Sequence, residues 1–352
     1  MRVLTAMSGG VDSSVAAALM KEQGHDVVGV TLKLWSGPNG EAPTAGCCTL
    51  SDAEDARRVA ATLDIPYYVL DYTEEFTNGV VDKFVGEYAT GRTPNPCIEC
   101  NRTVKFDRLL NSLDGFDAEA LVTGHHARTR LAGGQWQLLR GSDRAKDQSY
   151  VLSMLTQAEL SRTRFPVGEM TKDQVRAIAR SLDLRTANKP ESMDICFVGQ
   201  RDYRSFLRGH APEAFIPGPV VDTAGVEVGA HDGIVGFTVG QRRGLGVAVG
   251  EARYVVDIQP STSTVVIGRR RQLAVESVEL SGLTSVNGEP IYGPVTAQYR
   301  AHGDQVAATI EAGGLVFDVP QEGVAPGQTL ALYDADVVLG GGIIATAKRV
   351  AA

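Results

Sequence analysis

Two groups of residues have types and spacings suited to chemistry. The first is Ser8-Gly9-Gly10-Val11-Asp12-Ser13-Ser14, set between an apolar run and a segment of helical spacing. Paired glycines let a backbone adopt positive φ and approach a ligand closely. The N–H groups of such a loop, and of the helix it opens, converge on an anion with the helix dipole behind them. Ser8, Ser13 and Ser14 add hydroxyls and Asp12 a carboxylate, so the loop reads as a phosphate site. It has neither the G-x-x-x-x-G-K-[ST] of a Walker loop nor the spacing of a dinucleotide fingerprint. The bland alternative is an ordinary strand-to-helix turn.

The second group is sulfur. Arg92-Thr93-Pro94-Asn95-Pro96-Cys97-Ile98-Glu99-Cys100-Asn101 is a proline-stiffened loop ahead of a helical stretch from Val104 to Leu113. That pattern predicts Cys100 just before a helix N-terminus, near Arg102 and Lys105, a setting that favours thiolate. Cys196 lies far along the chain in Met193-Asp194-Ile195-Cys196-Phe197-Val198-Gly199, between apolar residues that could shelter a labile sulfur. A plain buried role suits any one of these cysteines as well. Cys97 and Cys100 form C-x-x-C, half a zinc site, but no second pair follows at suitable spacing. Cys97, Cys100 and Cys196 together could hold an iron–sulfur cluster with one open iron. Cys47 and Cys48, and the Gly/Pro-rich stretch Ser36 to Gly46, receive no assignment beyond a suggestion that the stretch closes over a nucleotide.

The elements that must position these groups are legible in outline. Arg2 to Ala6, Val27 to Leu34, Ile65 to Leu70 and Leu121 to Thr123 read as strands, with helices between them. Gly24 is a left-handed cap, Ser51 with Glu54 a capping box, and Thr171 with Gln174 another. The alternation predicts a doubly wound parallel sheet over residues 1–204. From Ser205 onward lie 22 of the 39 glycines and none of the five cysteines. Short β-branched runs at Arg253 to Ile258, Thr264 to Ile267, Pro294 to Tyr299 and Thr329 to Tyr333 predict a small β-rich domain, 205–271, and a β-barrel, 272–352. At 352 residues the chain exceeds what one core normally organises.

Composition narrows the class. Lys+Arg 34 against Asp+Glu 42 gives −8, and 43% hydrophobic with 22% charged residues is ordinary for a folded globular chain. No apolar run reaches the ~18 residues that a membrane span needs. An odd cysteine count with no export signal argues against a disulfide framework, so a cytoplasmic enzyme is expected. The acidic balance requires any nucleic-acid contact to be local. Arg102, Lys105, Arg108, Arg128, Arg130, Arg140, Arg144 and Lys146 are candidate phosphate contacts.

Ser8 to Ser14 resembles the S-G-G-x-D-S-S pyrophosphate loop of the ATP pyrophosphatase superfamily. Five further motifs, T-P-N-P-x-x-x-C-N, T-G-H, K-D-Q-S-Y, D-I-C-F-x-G and G-Q-R-x-G-L-G, occur in that order, and together they resemble the bacterial tRNA-specific 2-thiouridylases. The resemblance spans nearly the whole chain. It implies ATP bound by Ala6, Met7, Ser8, Gly9, Gly10, Val11, Asp12, Ser13, Leu32 and Gly124, with magnesium positioned by Asp12. It implies that Cys196 carries a persulfide, that Cys100 is its nucleophilic partner, and that the two close a transient disulfide. Contacts to tRNA would come from Asn95, Pro96, Cys97, His125, Lys146, Asp147, Gln148, Tyr299, Arg300 and Gln328. Some members carry aspartate where this chain has Cys97, which leaves a proton-transfer role there in doubt. The implied reaction is ATP-dependent 2-thiolation of the tRNA wobble uridine, with a protein sulfur carrier feeding Cys196. An amide or amidine ligase on the same loop, an iron–sulfur version of the thiolation, and a nucleotide-binding regulatory module are the alternatives.

Overall fold

The computed structural model describes residues 1–36, 49–190, 195–198, 202–247, 250–311 and 314–350. Its first part is an all-parallel sheet of five strands. β1 (Arg2–Ala6) leads into α1 (Val11–Glu22), β2 (Asp26–Lys33), α2 (Leu50–Thr62) and β3 (Tyr67–Asp71), and β4 (Ala120–Val122) follows a long helical excursion. A hairpin of β5 (Ala127–Ala132) and β6 (Gln135–Arg140) precedes the two-residue β7 (Thr163–Arg164). The sheet order is β3-β2-β1-β4-β7, with every pairing parallel. Crossovers leave β1 in opposite directions, so the crevice between the carboxyl ends of β1 and β4 is the topological switch point where ligands bind in such sheets.

Period-two alternation sends successive side chains to opposite faces of the sheet. Leu4, Val28, Val30 and Leu121 enter one core cluster, while Val3, Val27, Ala120 and Val122 enter another. The sheet is thus packed on both faces, as a doubly wound fold requires. α2 starts two residues earlier than Ser51 suggests. Thr49 is the N-cap and Asp52 completes the capping box, while Glu54 pairs with Arg58 instead.

The middle strands, Gly218–Asp222, Glu227–His231, Tyr254–Gln259 and Thr264–Gly268, form a separate four-stranded sheet. It packs on Val220, Phe237, Val255, Val265 and Ile267. The last six strands close into a barrel, because Ala274–Ser285 pairs with both Gly314–Glu322 and Val337–Arg349. The β5–β6 hairpin joins this barrel rather than the parallel sheet. Leu139 and Leu138 pair with Val337 and Val338, and Asp336 accepts from Arg128 at 3.1 Å and Arg144 at 2.6 Å. Among the described residues no helix is long and apolar enough to cross a membrane.

Candidate functional site

The loop after β1 is held open by close approach of backbone to backbone. Gly9 has φ +71, and a Cβ there would fall 2.2 Å from the Asp52 carbonyl oxygen. A Cβ on Gly124, just past β4, would fall 2.5 Å from the Ser13 nitrogen. Glycine at both positions lets α2 and the end of β4 press against the loop. α1 then starts with Gly10 as N-cap and no side-chain cap, so its first-turn N–H groups remain available to an anion. Two of the three serines serve the loop itself. Ser13 Oγ donates to the Gly10 carbonyl at 3.1 Å and accepts from the Ser8 N–H at 3.1 Å, and Ser14 Oγ donates to the same carbonyl at 2.8 Å. Met7 and Val11 are buried, their side chains in the core cluster on one face of the sheet.

Asp12 is the charged centre. Lys172 Nζ reaches both its carboxylate oxygens, at 2.9 and 2.7 Å, and His126 Nε2 shares a hydrogen bond with it at 3.1 Å. Burial pushes the Asp12 carboxyl up, but His126 and Lys172 outweigh it, and its pKa lies below the ordinary value. Lys172 is itself buried and is the first residue of the helix Lys172–Ser181, capped by Thr171. A cation at the positive end of a helix dipole is unfavourable without an anion to meet. That conflict was the available sequence signal for Lys172, but its partner lies 160 positions away.

His125 and His126 have different surroundings. His126, not His125, touches the phosphate loop. His125 Nδ1 bonds Thr123 Oγ1 at 2.8 Å, and its ring sits against Phe106 and Phe165. Burial first, and then the charge of Lys105, hold its imidazole down to about 3. Asp147 accepts from Arg140 Nε at 2.8 Å, the Gly141 N–H at 2.9 Å and the Ser149 N–H at 3.0 Å. Gln148 Oε1 accepts from the His126 N–H at 2.9 Å. The Lys146-Asp147-Gln148 turn is therefore wired to Asp12 through one histidine.

The cysteine segment is helical earlier than its prolines suggest. Asn95 caps a short helix, Pro96–Glu99, accepting from the Cys97 and Ile98 N–H groups. The helix runs on through a π segment, Cys100–Phe106, into Asp107–Ser112. Cys97, exposed, occupies the first turn, whereas Cys100 is buried a turn further in. The dipole argument offered for Cys100 thus applies to Cys97. Arg102 is also committed, with Lys83, to the buried Glu99, at 2.9 and 2.8 Å. Burial raises the Glu99 carboxyl, and these two cations more than reverse the effect.

Cys196 is half-buried in the short described segment 195–198. Its neighbour Phe197 lies among Trp35, Phe76, Phe84 and Phe206, with ring centroids 5.1 to 6.2 Å away. Leu32 and Cys100 belong to one apolar cluster, and Ala6 and Cys196 pack against it. Among the described residues no three His, Cys, Asp or Glu side chains gather as a metal requires. Cys97, Cys100 and Cys196 therefore do not form the ligand set an iron–sulfur cluster needs. Cys47, Cys48 and all of the stretch Ser36 to Gly46 beyond Ser36 lie outside the described residues.

The barrel reaches this region directly. The Thr93 N–H donates to the Pro326 carbonyl at 2.8 Å, and a Cβ on Gly327 would fall 2.7 Å from the Thr93 nitrogen. Tyr150 OH donates to the Thr329 carbonyl at 2.9 Å. Gln328 sits at this seam, its Oε1 buried without a partner among the described residues. Tyr299 and Arg300, just past the strand Gly293–Gln298, lie against the start of the same loop. The Arg300 guanidinium covers the Tyr299 ring at 5.4 Å and donates to the Glu322 and Gly323 carbonyls. Most of the expected phosphate-gripping arginines have partners within the molecule: Arg102 bonds Glu99, Arg128 and Arg144 bond Asp336, Arg140 bonds Asp147 and Arg130 bonds Gln137, with Arg102, Arg130 and Arg144 at the surface.

Residues 1–200 match a family model described as the tRNA methyl transferase HUP domain. Residues 204–269 match its PRC-barrel domain, and 275–344 match an aminomethyltransferase beta-barrel domain. A protein of Roseiflexus sp. (strain RS-1) named tRNA-specific 2-thiouridylase is 47% identical, covering 98% of this chain and 99% of its own. Proteins of the same name from Herpetosiphon aurantiacus and Acidothermus cellulolyticus are 46% and 47% identical, covering 99% and 100% of this chain and 99% of each relative.

Proposed function

The chain belongs to the tRNA-specific 2-thiouridylase family, and we infer from its site how the reaction of that family is carried out here. It is an ATP-dependent tRNA sulfurtransferase that thiolates uridine. The family model's wording speaks of methyl transfer, whereas the full-length relatives are named for thiolation. A pyrophosphate-type loop suits the second chemistry, since methyl transfer has no need of ATP activation.

In the proposed sequence the C2 oxygen of the wobble uridine attacks the α-phosphorus of ATP. The Pα–O–Pβ bond breaks, and pyrophosphate leaves into Ser8 to Ser13 and the first turn of α1. Lys172 supplies a buried cation to the departing charge, at hydrogen-bond range of the Asp12 carboxylate. Leu32 and Gly124 border the adenosine. Magnesium, carried with the nucleotide, neutralises triphosphate charge when bound, and the ionised Asp12 is the residue fitted to hold it. The terminal sulfur of a Cys196 persulfide then attacks C2, and AMP leaves with the former oxygen. Cys100 attacks the Cys196 sulfur, breaking the S–S bond and closing the Cys100–Cys196 disulfide, which a reductant must reopen.

We assign tRNA contacts to Asn95, Pro96 and Cys97, the 146–148 turn, and Tyr299, Arg300 and Gln328. His125, neutral and packed between rings, serves as an uncharged wall. A protein sulfur carrier and a cytoplasmic setting complete the reading, with 1–204, 205–271 and 272–352 as catalytic, linking and RNA-contacting units.

The observation that carries it is the phosphate loop with its uncapped helix start and the Asp12, Lys172 and His126 side chains gathered on it. Cys100 and Cys196 both border the extended apolar core of the same half of the chain. Incubation of tRNA with ATP-magnesium and a sulfur donor, followed by electrophoresis in a mercury-containing gel, should show retarded tRNA with the wild type. Cys100→Ser and Cys196→Ser should each abolish the shift. Persistence of the shift in Cys196→Ser would overturn the persulfide route.

A further inference from the structure

The motif Gly240-Gln241-Arg242-Arg243-Gly244-Leu245-Gly246 has no task in the chemistry above. It forms a tight turn in the middle domain, with positive φ at Gly240, Gly244 and Gly246. The turn is braced from within. Gln241 Oε1 accepts from the Thr238 N–H at 3.2 Å, Gln241 Nε2 donates to the Arg243 carbonyl at 2.8 Å, and the Gly240 N–H donates to the Val255 carbonyl at 2.8 Å. Leu245 anchors it in the core. Arg242 and Arg243 stand exposed on this brace, and neither has a carboxylate within ion-pair distance among the described residues. Their neighbours differ: Arg253 and Arg269 share Glu251, and Arg270 holds Glu322. Two adjacent guanidinium groups on a fixed turn repel each other and have no internal compensation, an arrangement suited to an external polyanion.

Placement gives the polyanion's identity. A Cβ on Gly240 would fall 3.6 Å from Gly323 Cα of the barrel. Gly323 accepts from Arg300, and the same barrel loop continues to Gln328 against Thr93 of the cysteine segment. The turn that carries Arg242 and Arg243 thus borders the barrel loop that Arg300 holds and that Gly327 presses against Thr93. A cavity of about 440 Å³ opens beside the turn, lined by Gly244 to Val247 and by Glu251, whose charge its two arginines already offset. The arginines that looked like phosphate contacts in the sequence mostly have carboxylate or amide partners, so two exposed arginines without a carboxylate partner stand out on a chain of net charge −8. We propose that Arg242 and Arg243 form a docking site for the sugar–phosphate backbone of the bound tRNA, outside the reacting nucleotide. The proposal rests on the assignment of tRNA as substrate.

The test measures tRNA affinity by fluorescence anisotropy across a salt series, using full-length wild type and Arg242→Ala/Arg243→Ala. The double variant should bind on the order of tenfold more weakly, with a log–log salt slope shallower by roughly 1 per arginine. ATP affinity and the thermal midpoint should be unchanged, which separates the effect from misfolding. Equal affinity and slope in the two proteins overturns the docking site and leaves the tRNA reading intact. Failure of the wild type itself to bind tRNA overturns both. Unchanged tRNA binding with slowed sulfur delivery from a carrier protein would give the turn to a protein partner and also overturn the proposal.

Discussion

Asp12 and Lys172 hold each other at 2.7 to 2.9 Å, and the two roles open to Lys172 make different predictions. If the lysine only neutralises Asp12, its loss should appear in ATP affinity and leave the rate at saturating ATP unchanged. If it receives the leaving pyrophosphate, the loss should fall on that rate. Lys172→Met is expected to slow tRNA-dependent pyrophosphate release at saturating ATP by on the order of 10²–10³-fold, as for loss of one preorganised donor. An unchanged saturated rate in a pyrophosphate-release assay would reduce Lys172 to a structural partner. His125 makes a prediction through pH. Its folded pKa is about 3 against an ordinary 6.5, so the unfolded chain takes up a proton below pH 6.5 that the folded chain refuses. Stability is therefore lost as pH falls through that range, by up to ~1.4 kcal/mol per pH unit from this residue. Urea unfolding at neutral and mildly acidic pH should show His125→Gln losing less than the wild type, and equal losses would place the source elsewhere. At this scale the loop was legible because its turn chemistry is local, whereas the roles of Cys100 and Cys196 came from the family resemblance. The Lys172 contact was invisible because only the fold closes 160 residues of chain.

Secondary structure succeeded in the sequence where a residue's own neighbours decide it, and failed where a distant contact does. Four of the five parallel strands fell within two residues of expectation, because β-branched runs bounded by Gly and Asp leave few alternatives, whereas the two-residue β7 went unread. The Thr171 cap was correct, but the Thr49-x-x-Asp52 cap of α2 was passed over for Ser51 and Glu54 two residues later. Continuation of the Pro96 helix through a π segment, which carries Cys100 inward, follows from packing of Val104 and Phe106 into the core and left no mark in composition. π segments recur at functional positions, and here it begins at the expected nucleophile. Gly124 shows how tightly the elements meet at the switch point. Gly124→Ala pushes a methyl onto the Ser13 nitrogen, and overpacking of this kind costs ~1–3 kcal/mol. Because the displaced backbone is the phosphate cradle, the cost should appear in ATP affinity, weaker by roughly tenfold. Calorimetric titration with ATP measures it, and wild-type affinity would mean the cradle yields without loss.

The whole molecule is more interlocked than a three-part division of the chain implies. β5 and β6 arise inside the first 204 residues yet extend the sheet of the barrel. Arg128 and Arg144 meet at Asp336, and Ser149 shares a hydrogen bond with the buried Tyr333 at 3.4 Å. In the sequence those arginines looked like an RNA-facing surface, since nothing local revealed a carboxylate roughly 200 residues on. The exposed ion pairs are each worth little, about 0–1 kcal/mol. The apolar part of the seam is worth more: Leu138, Tyr150, Tyr333 and Val338 are all buried, and fully burying a side chain of this size contributes ~1.5–3 kcal/mol. Truncation after residue 271 would expose Leu138 and Tyr150 and leave β6 as an unpaired sheet edge, a combination that favours aggregation. The fragment 1–271 should therefore bind a hydrophobic dye and scatter light at concentrations where the full chain does not. The full chain should unfold with its first and last parts coupled. A soluble, dye-silent fragment with the thermal midpoint of the intact protein would show that the barrel docks without supporting the catalytic half. In that case the contact of Thr93 with Pro326 would serve only to bring Gln328 and Arg300 to the RNA, with no share in holding Cys97 and Cys100 in register.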